Sequence, residues 1–77
     1  MKEQIIQLLS QYGRLSITGN NNLISHITID IDGYEAYDDL ITIYSLNDDI
    51  VNIIYNNIIK IDNNIIYYGD FTLEILF

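Results

Sequence analysis

The chain of 77 residues contains no cysteine. It therefore forms no disulfide, and it offers no thiol nucleophile to an active site. A small domain without cysteine is compatible with a reducing compartment, and we expect a cytoplasmic location. The first residues lack the pattern of a secretory signal, and no apolar stretch reaches the roughly 20 residues that a membrane span needs. We therefore predict no membrane partner.

Basic residues are almost missing as well. Lys2, Arg14 and Lys60 stand against eleven acidic residues, and the formal net charge is -8. Between Leu15 and Ile59 there is no Lys or Arg, whereas the same segment contains seven carboxylates: Asp30, Asp32, Glu35, Asp38, Asp39, Asp48 and Asp49. Such a field favours cationic partners and repels nucleic acid and anionic membranes. We expect a basic protein surface as the partner, and no direct binding of nucleic acid.

The length of the chain predicts a single domain over residues 1–77 with a small core. A chain of this size buries only about 60% of the surface that its unfolded form exposes. Eighteen isoleucines and seven tyrosines supply most of the apolar area.

Apolar periodicity predicts one helix at the N-terminus. The i, i+3, i+4, i+7 spacing of an amphipathic helix is followed by Ile5, Leu8, Leu9 and Tyr12. Gly13 then stands where a left-handed C-terminal cap is expected, which predicts a helix of about three turns.

Alternation of apolar and polar residues then predicts strands at 15–18, 26–32 and 40–44. Residues 19–22, with the sequence Gly-Asn-Asn-Asn, predict the turn between the first two. The pair Asp32-Gly33 is a hairpin signal, because both residues tolerate the positive φ that a type I′ turn requires. The polar stretch 35–39 is expected to bulge or loop out before the returning strand.

The second half of the chain allows two interpretations. Doubled asparagines and a Gly-Asp pair separate short apolar runs, which predicts a β-meander ending in a strand at 71–77. Residues 48–61 also fit an amphipathic helix capped by Asp48 or Asp49, although the β-branched isoleucines and the asparagines favour strands. The last strand has apolar residues on both faces, so we expect it to be central in the sheet or covered by a partner.

The predicted fold class is α+β, with an N-terminal α-helix packed on an antiparallel β-sheet (a meander) and with residues 48–61 as strand or helix. One core is expected to contain Ile5, Leu8, Leu9, Ile17, Ile27, Ile29 and Ile31.

No motif indicates catalysis or a cofactor. Residues 28–39 partly match an EF-hand loop, with Gly33 at its sixth and Asp39 at its twelfth position, but Thr28 replaces the first Asp and the segment alternates like a strand. His26 is the sole histidine. We expect it to be a surface imidazole whose proton is favoured by nearby carboxylates. The prediction is no metal, no cofactor and no enzymatic activity.

Tyrosines accompany the carboxylates. Tyr34 and Tyr37 interleave with acidic residues, and tyrosine is enriched at protein interfaces because its ring supplies contact area while its hydroxyl stays hydrogen-bonded. Carboxylates two residues apart on a strand lie about 6.8 Å apart, roughly twice the 3.4 Å phosphate spacing of one DNA strand. The predicted partner-binding residues are Asp30, Asp32, Tyr34, Glu35, Tyr37, Asp38 and Asp39. The alternative is that the rings cover the core and the acids only keep the protein in solution.

Three segments carry a family resemblance: the helical Ile5-Ile6-Gln7-Leu8-Leu9, the strand and turn Leu15-Ser16-Ile17-Thr18-Gly19-Asn20, and the acidic strand Ile27-Thr28-Ile29-Asp30-Ile31. In order and charge they resemble the small acidic anti-CRISPR proteins of phages, over roughly residues 1–45 of the chain. Those proteins block an effector nuclease, in several cases by covering its DNA-binding groove. The resemblance implies a phage-encoded inhibitor that acts in the host cytoplasm by nucleic-acid mimicry.

Two other functions fit the same sequence. An immunity protein or antitoxin that caps a basic toxin needs the same charge. A structural assembly subunit would instead use the strand at 71–77 to complete a neighbour's sheet, and we expect that this strand also supports a homodimer.

Overall fold

The computed structural model describes residues 2–11, 13–19 and 26–76. Within these residues a short helix, α1 (Lys2–Leu9), precedes seven strands. The strands are β1 (Arg14–Gly19), β2 (Ile27–Ala36), β3 (Leu40–Ser45), β4 (Ile50–Ile54), β5 (Ile58–Asp62), β6 (Ile65–Tyr68) and β7 (Phe71–Leu76). Neighbouring strands are antiparallel, in the order β4-β3-β2-β1-β7-β6-β5. The predicted antiparallel sheet with an N-terminal helix is confirmed, and the helix is the minor part of the fold.

The helical alternative for residues 48–61 is wrong. β4 and β5 occupy most of this segment, and only the 3₁₀ turn Tyr55–Asn57 separates them. β-Branched side chains pack well on a pleated sheet and lose rotamer freedom in a helix, which explains the outcome for this isoleucine-rich stretch.

The sheet bends at β2, because this long strand belongs to both halves of the sheet. Ile27 to Asp30 pair with β1, whereas Ile31 to Ala36 pair with β3. The register with β3 shifts between Ile31 and Gly33, which is the signature of a β-bulge. The bend turns β4 toward β6, and the backbone N–H of Ile54 donates to the Tyr68 hydroxyl at 3.1 Å.

The predicted hairpin at Asp32-Gly33 is therefore wrong. Both residues lie inside β2, and the chain reverses only after Ala36. Gly33 does not adopt positive φ, whereas Asn63 and Gly69 do so in the turns that follow β5 and β6. The polar stretch after Glu35 does loop out, as expected. The predicted turn at 19–22 lies outside the described residues, apart from Gly19 at the end of β1.

The helix is shorter than predicted. It ends at Leu9, well before Gly13, so the glycine is not its cap, and Tyr12 lies outside the described residues. The Ser10 hydroxyl donates to the carbonyl of Gln7 at 2.6 Å and satisfies one of the free carbonyls at the helix end. A serine therefore ends the helix earlier than the apolar spacing indicates.

The core combines both halves of the sheet with the buried face of α1. Its buried hydrophobic residues are Ile5, Leu9, Leu15, Ile29, Ile31, Ile41, Ile43, Ile53, Ile58, Ile66, Leu73 and Ile75. Leu8 and Ile17, both predicted in the core, are partly buried against it. Ile27 is 54% exposed, and its placement in the core is wrong, because it is the first residue of β2 and lies at the end of the strand.

The C-terminal strand is central. β7 pairs with β1 on one edge and with β6 on the other. Of the two predicted positions the central one is confirmed, and neither edge of β7 is free for a neighbour's sheet. The expected self-association through 71–77 and the assembly-subunit hypothesis stay predictions.

Candidate protein-binding surface

The bulge in β2 places three carboxylates on the solvent side of the sheet. Asp30 and Asp32 point outward, since Ile29 and Ile31, which alternate with them along β2, are buried. Strict alternation would then turn Glu35 inward, but the extra residue at the bulge shifts the phase and leaves Glu35 exposed. We call Asp30, Asp32, Glu35, Asp38 and Asp39 the acidic ridge.

The ridge continues into the loop after β2. Asp38 and Asp39 form a two-residue connection, closed by the Tyr37 N–H, which donates to the carbonyl of Leu40 at 2.8 Å. Both aspartates are exposed. From Asp30 to Asp38 the ridge extends over roughly 25 Å at about 3.3 Å per residue. The longest dimension of the protein is 31 Å, so the ridge crosses nearly the whole molecule.

Strand pairing brings one basic residue to the ridge. Arg14 lies opposite Asp30 in the β1–β2 register, and its Nε is 3.9 Å from Oδ1 of Asp30. Both side chains are well exposed, so the pair contributes little to stability. The positive charge of Arg14 does reduce the negative charge at one end of the ridge. The contact comes from strand pairing, since the segment between Leu15 and Ile59 contains no Lys or Arg of its own.

Glu35 is held by two tyrosines. Its Oε2 accepts a hydrogen bond from the Tyr37 hydroxyl at 2.5 Å, and its Oε1 accepts one from Tyr44 at 3.3 Å. The hydrogen bond from Tyr37 to Glu35, together with the carboxylate charge, raises the pKa of Tyr37 to about 12. Partial desolvation, followed by the charge of Glu35, raises the pKa of Tyr44. The carboxylate is therefore accessible but fixed in direction.

Tyr34 does not belong to this surface. It pairs with Ile43 on the inward side of β2 and β3 and packs against the core. The same phase shift that turns Glu35 outward turns Tyr34 inward, to the side of β2 opposite the ridge, and its role as a contact residue stays a prediction. Tyr37 is 46% exposed and lies beside the ridge as expected.

Sequence reasoning missed the apolar part of this surface. Ile50 and Ile54 pair with Tyr44 and Leu40, on the same solvent side as Glu35, and are 61% and 40% exposed. We call the solvent side of β2, β3 and β4 the outer face. The alternation Ile50-Val51-Asn52-Ile53-Ile54 has hydrophobic residues on both faces of one strand, and this pattern could have identified an apolar edge strand.

The only histidine lies on the other half of the sheet. The His26 ring lies within 3.2 Å of the Ser16, Thr18 and Thr28 hydroxyls, with its closest approach at 2.9 Å to Thr28. Its hydrogen-bonding neighbours are hydroxyls, and Glu74 lies opposite Ser16 in the β1–β7 register. Ser16 is buried, and among the described residues no carboxylate forms a hydrogen bond with the ring.

The EF-hand-like segment has no loop geometry. Thr28 to Ala36 form part of one continuous strand. Among the residues that the structure describes, no group of three or more His, Cys, Asp or Glu side chains could hold a metal ion. In the same part of the chain, no helix has the length and apolar character needed to cross a membrane.

Comparisons with protein-family models, with curated proteins and with solved structures find no match to this chain.

Proposed function

We propose that this protein is a small acidic inhibitor that binds a basic, nucleic-acid-binding groove of another protein, such as a host defence nuclease. The observation that supports this proposal is the bulge in β2, which gathers Asp32 and Glu35 on one solvent side and leaves Tyr37 exposed beside them. The acidic ridge then runs along one side of the molecule as a nearly continuous line of negative charge.

Charge density limits how closely the ridge imitates DNA. Five carboxylates over roughly 25 Å give one charge per about 5 Å, against about 3.4 Å for a single DNA strand and about 1.7 Å for the duplex. Phosphate-like charge alone would therefore give weaker binding than nucleic acid. The inhibitor needs additional contacts to compete with it.

The outer face supplies such contacts. Ile50, Ile54 and Tyr37 are large and exposed; Tyr37 lies beside the ridge, and the two isoleucines lie on β4, beyond β3. Buried aromatic and aliphatic anchors surrounded by charged residues are typical of protein interfaces, in which the anchors slow dissociation and the charges accelerate association. Basic grooves of nucleic-acid-binding proteins also contain surfaces on which bases stack, and these could receive the apolar side chains.

The experiment is an inhibition assay on purified, guide-loaded effector nucleases that cleave target DNA. The test variant carries Asp38→Lys and Asp39→Lys. The matched control carries Asp62→Lys, at the end of β5, and Asp70→Lys, in the turn before β7, which change the net charge equally at positions far along the chain from the ridge. We expect the test variant to lose inhibition by on the order of tenfold or more, and the control by less than about twofold.

Two results would contradict the proposal. Equal loss of inhibition in the test and control variants would show that only net charge matters. If the unaltered protein inhibits none of the effector nucleases, their nucleic-acid-binding groove is not the target. An immunity protein would use the same carboxylates. It would be identified by inhibition of a basic toxin nuclease with no effect on the guide-loaded enzymes.

A further inference from the structure

The bent sheet leaves an open seam between β4 and β6. A cavity of about 230 Å³ lies in this seam, and its apolar lining consists of Ile17, Val51, Ile53, Tyr68, Phe71 and Leu73. Pockets that hold drug-sized ligands measure about 300–1,000 Å³. The cavity is therefore better matched to a single side chain than to a free small molecule.

The edge of β4 beside this cavity has backbone groups that point away from β3. At the two ends of the β3–β4 pair, the Tyr55 N–H donates to the carbonyl of Asp39 and the Ser45 N–H donates to the carbonyl of Asp49. Because hydrogen-bonding direction alternates along an antiparallel strand, the N–H and C=O groups of Ile50 and Asn52 point outward. Within residues 2–11, 13–19 and 26–76, the structure shows no backbone or side-chain partner for these two N–H groups.

The other end of this edge is closed. Ile54 also points outward, but its N–H donates to the Tyr68 hydroxyl, which accepts a second hydrogen bond from the Asn57 amide at 3.3 Å. A strand added to β4 can therefore pair with Ile50 and Asn52 but not with Ile54. The available edge starts beside the exposed carboxylates of Asp48 and Asp49.

We propose that this seam binds an extended basic segment of the partner protein, which adds a strand to β4 alongside Ile50 and Asn52. In this arrangement the residue opposite Val51 has its side chain on the inward side and fills the cavity with an apolar group. A residue two positions away reaches Asp48 and Asp49, where Lys or Arg fits best. Main-chain pairing with a side-chain pocket is the general basis of recognition by strand addition.

The basic character of the segment rests on the proposed function, whereas the pairing with β4 does not. A second copy of this chain fits the seam poorly. It would bring together two molecules of formal net charge -8. In a symmetric pairing centred on Asn52, the second copy would also need the position beside Ile54 that the Tyr68 hydroxyl already occupies.

The probe for this proposal is a blocked synthetic peptide, Thr-Lys-Thr-Leu-Thr-Lys-Thr, which presents the motif in either strand direction. Binding is followed by amide chemical shifts of the intact protein. We expect saturable shifts centred on Val51, Asn52 and Phe71. Replacing both lysines of the peptide by glutamate, or its Leu by Asn, should each weaken binding on the order of tenfold, because charge pairing or cavity filling is lost.

Asn52→Pro tests the backbone pairing, because proline removes an outward N–H and is tolerated on edge strands. Asn52→Ala is the matched control, since it loses the same side-chain bond from Thr42 but keeps the N–H. We expect the proline variant to lose on the order of tenfold in affinity and the alanine variant less than about twofold. If the proline variant does not fold, a peptide N-methylated at alternate amides tests the same pairing on the unaltered protein. It should bind more weakly than the parent peptide, because the methyl groups remove N–H donors of the added strand.

Equal binding of the N-methylated and parent peptides would overturn the proposal, as would shifts confined to the acidic ridge. Concentration-dependent shifts of the same residues without peptide would identify a second copy as the occupant instead. The two proposals fail separately. If Asp38→Lys with Asp39→Lys abolishes nuclease inhibition while Asn52→Pro leaves it unchanged, the inhibitor function stands and the seam is not used.

Discussion

The Tyr37 hydroxyl donates a hydrogen bond to Oε2 of Glu35 at 2.5 Å across the solvent side of β2. The phenol cannot lose its proton without placing a second negative charge beside the carboxylate. This hydrogen bond is the largest cause of the rise that brings the pKa of Tyr37 to about 12. The pKa of Tyr37 is thus a direct report on whether Glu35 points outward.

Glu35→Gln should lower the pKa of Tyr37 from about 12 toward its ordinary value of 10.0, because the charge beside the phenol is removed. An NMR titration of the tyrosine ring carbons measures this change. Asp62→Asn is the control, and it should leave the pKa of Tyr37 where it is. An unchanged pKa of Tyr37 in the Glu35 variant would contradict the outward position of Glu35 beside Tyr37, which the bulge in β2 produces.

Stability should fall at high pH. The pKa of Tyr37 is raised by its hydrogen bond to Glu35, and burial raises the pKa of Tyr44 and of Tyr55. Because the folded state keeps these protons longer than the unfolded state, their contribution is fully present below pH 10.0 and is lost as pH rises through about 12. Urea unfolding at pH 8, 10 and 11 should show the decline, with a smaller slope in Tyr37→Phe.

The isoleucine pattern predicted β1, β3 and most of β2, because period-two alternation records which face is buried. It could not predict the bulge, since Asp32-Gly33 is equally suitable for a hairpin turn and for an irregularity within a strand. Glu35 and Tyr34 exchange faces as a result. Likewise, the Arg14 contact with Asp30 depends on which strands pair, and local sequence carries no information about that.

Ile29→Asp should destabilise the protein by more than about 3 kcal/mol, because it places an unpaired charge in the core. Ile29 lies opposite Leu15 and is 9% exposed. Ile27→Asp, two residues earlier on the same strand, is the matched control and should cost less than about 1 kcal/mol, since exposed substitutions have small effects. Urea denaturation followed by circular dichroism gives both values. Similar costs at the two positions would refute the register of β2.

Gly33→Ala and Gly69→Ala should act in opposite directions. Gly33 has ordinary backbone angles and open space where a Cβ would lie, so alanine should be neutral or stabilising by up to about 1 kcal/mol. Gly69 has a φ of +57°, and alanine there should cost about 1 kcal/mol or more. Thermal unfolding of the two variants measures the difference. Destabilisation by alanine at position 33 would favour the rejected hairpin.

We propose that the acidic ridge occupies a site that otherwise holds nucleic acid, and competition between DNA and this protein for the same nuclease is the sharpest test. A nuclease that this protein inhibits is titrated with labelled protein, with and without its DNA, at low and at high salt. We expect DNA and the protein to exclude each other. We also expect that reversing the charges of Asp30, Asp32, Glu35, Asp38 and Asp39 abolishes binding at low salt. At physiological salt, charges further apart than about 8 Å are largely screened, whereas at low salt they interact over longer distances. Simultaneous binding of DNA and the protein, with affinity unchanged by the five reversals, would contradict it.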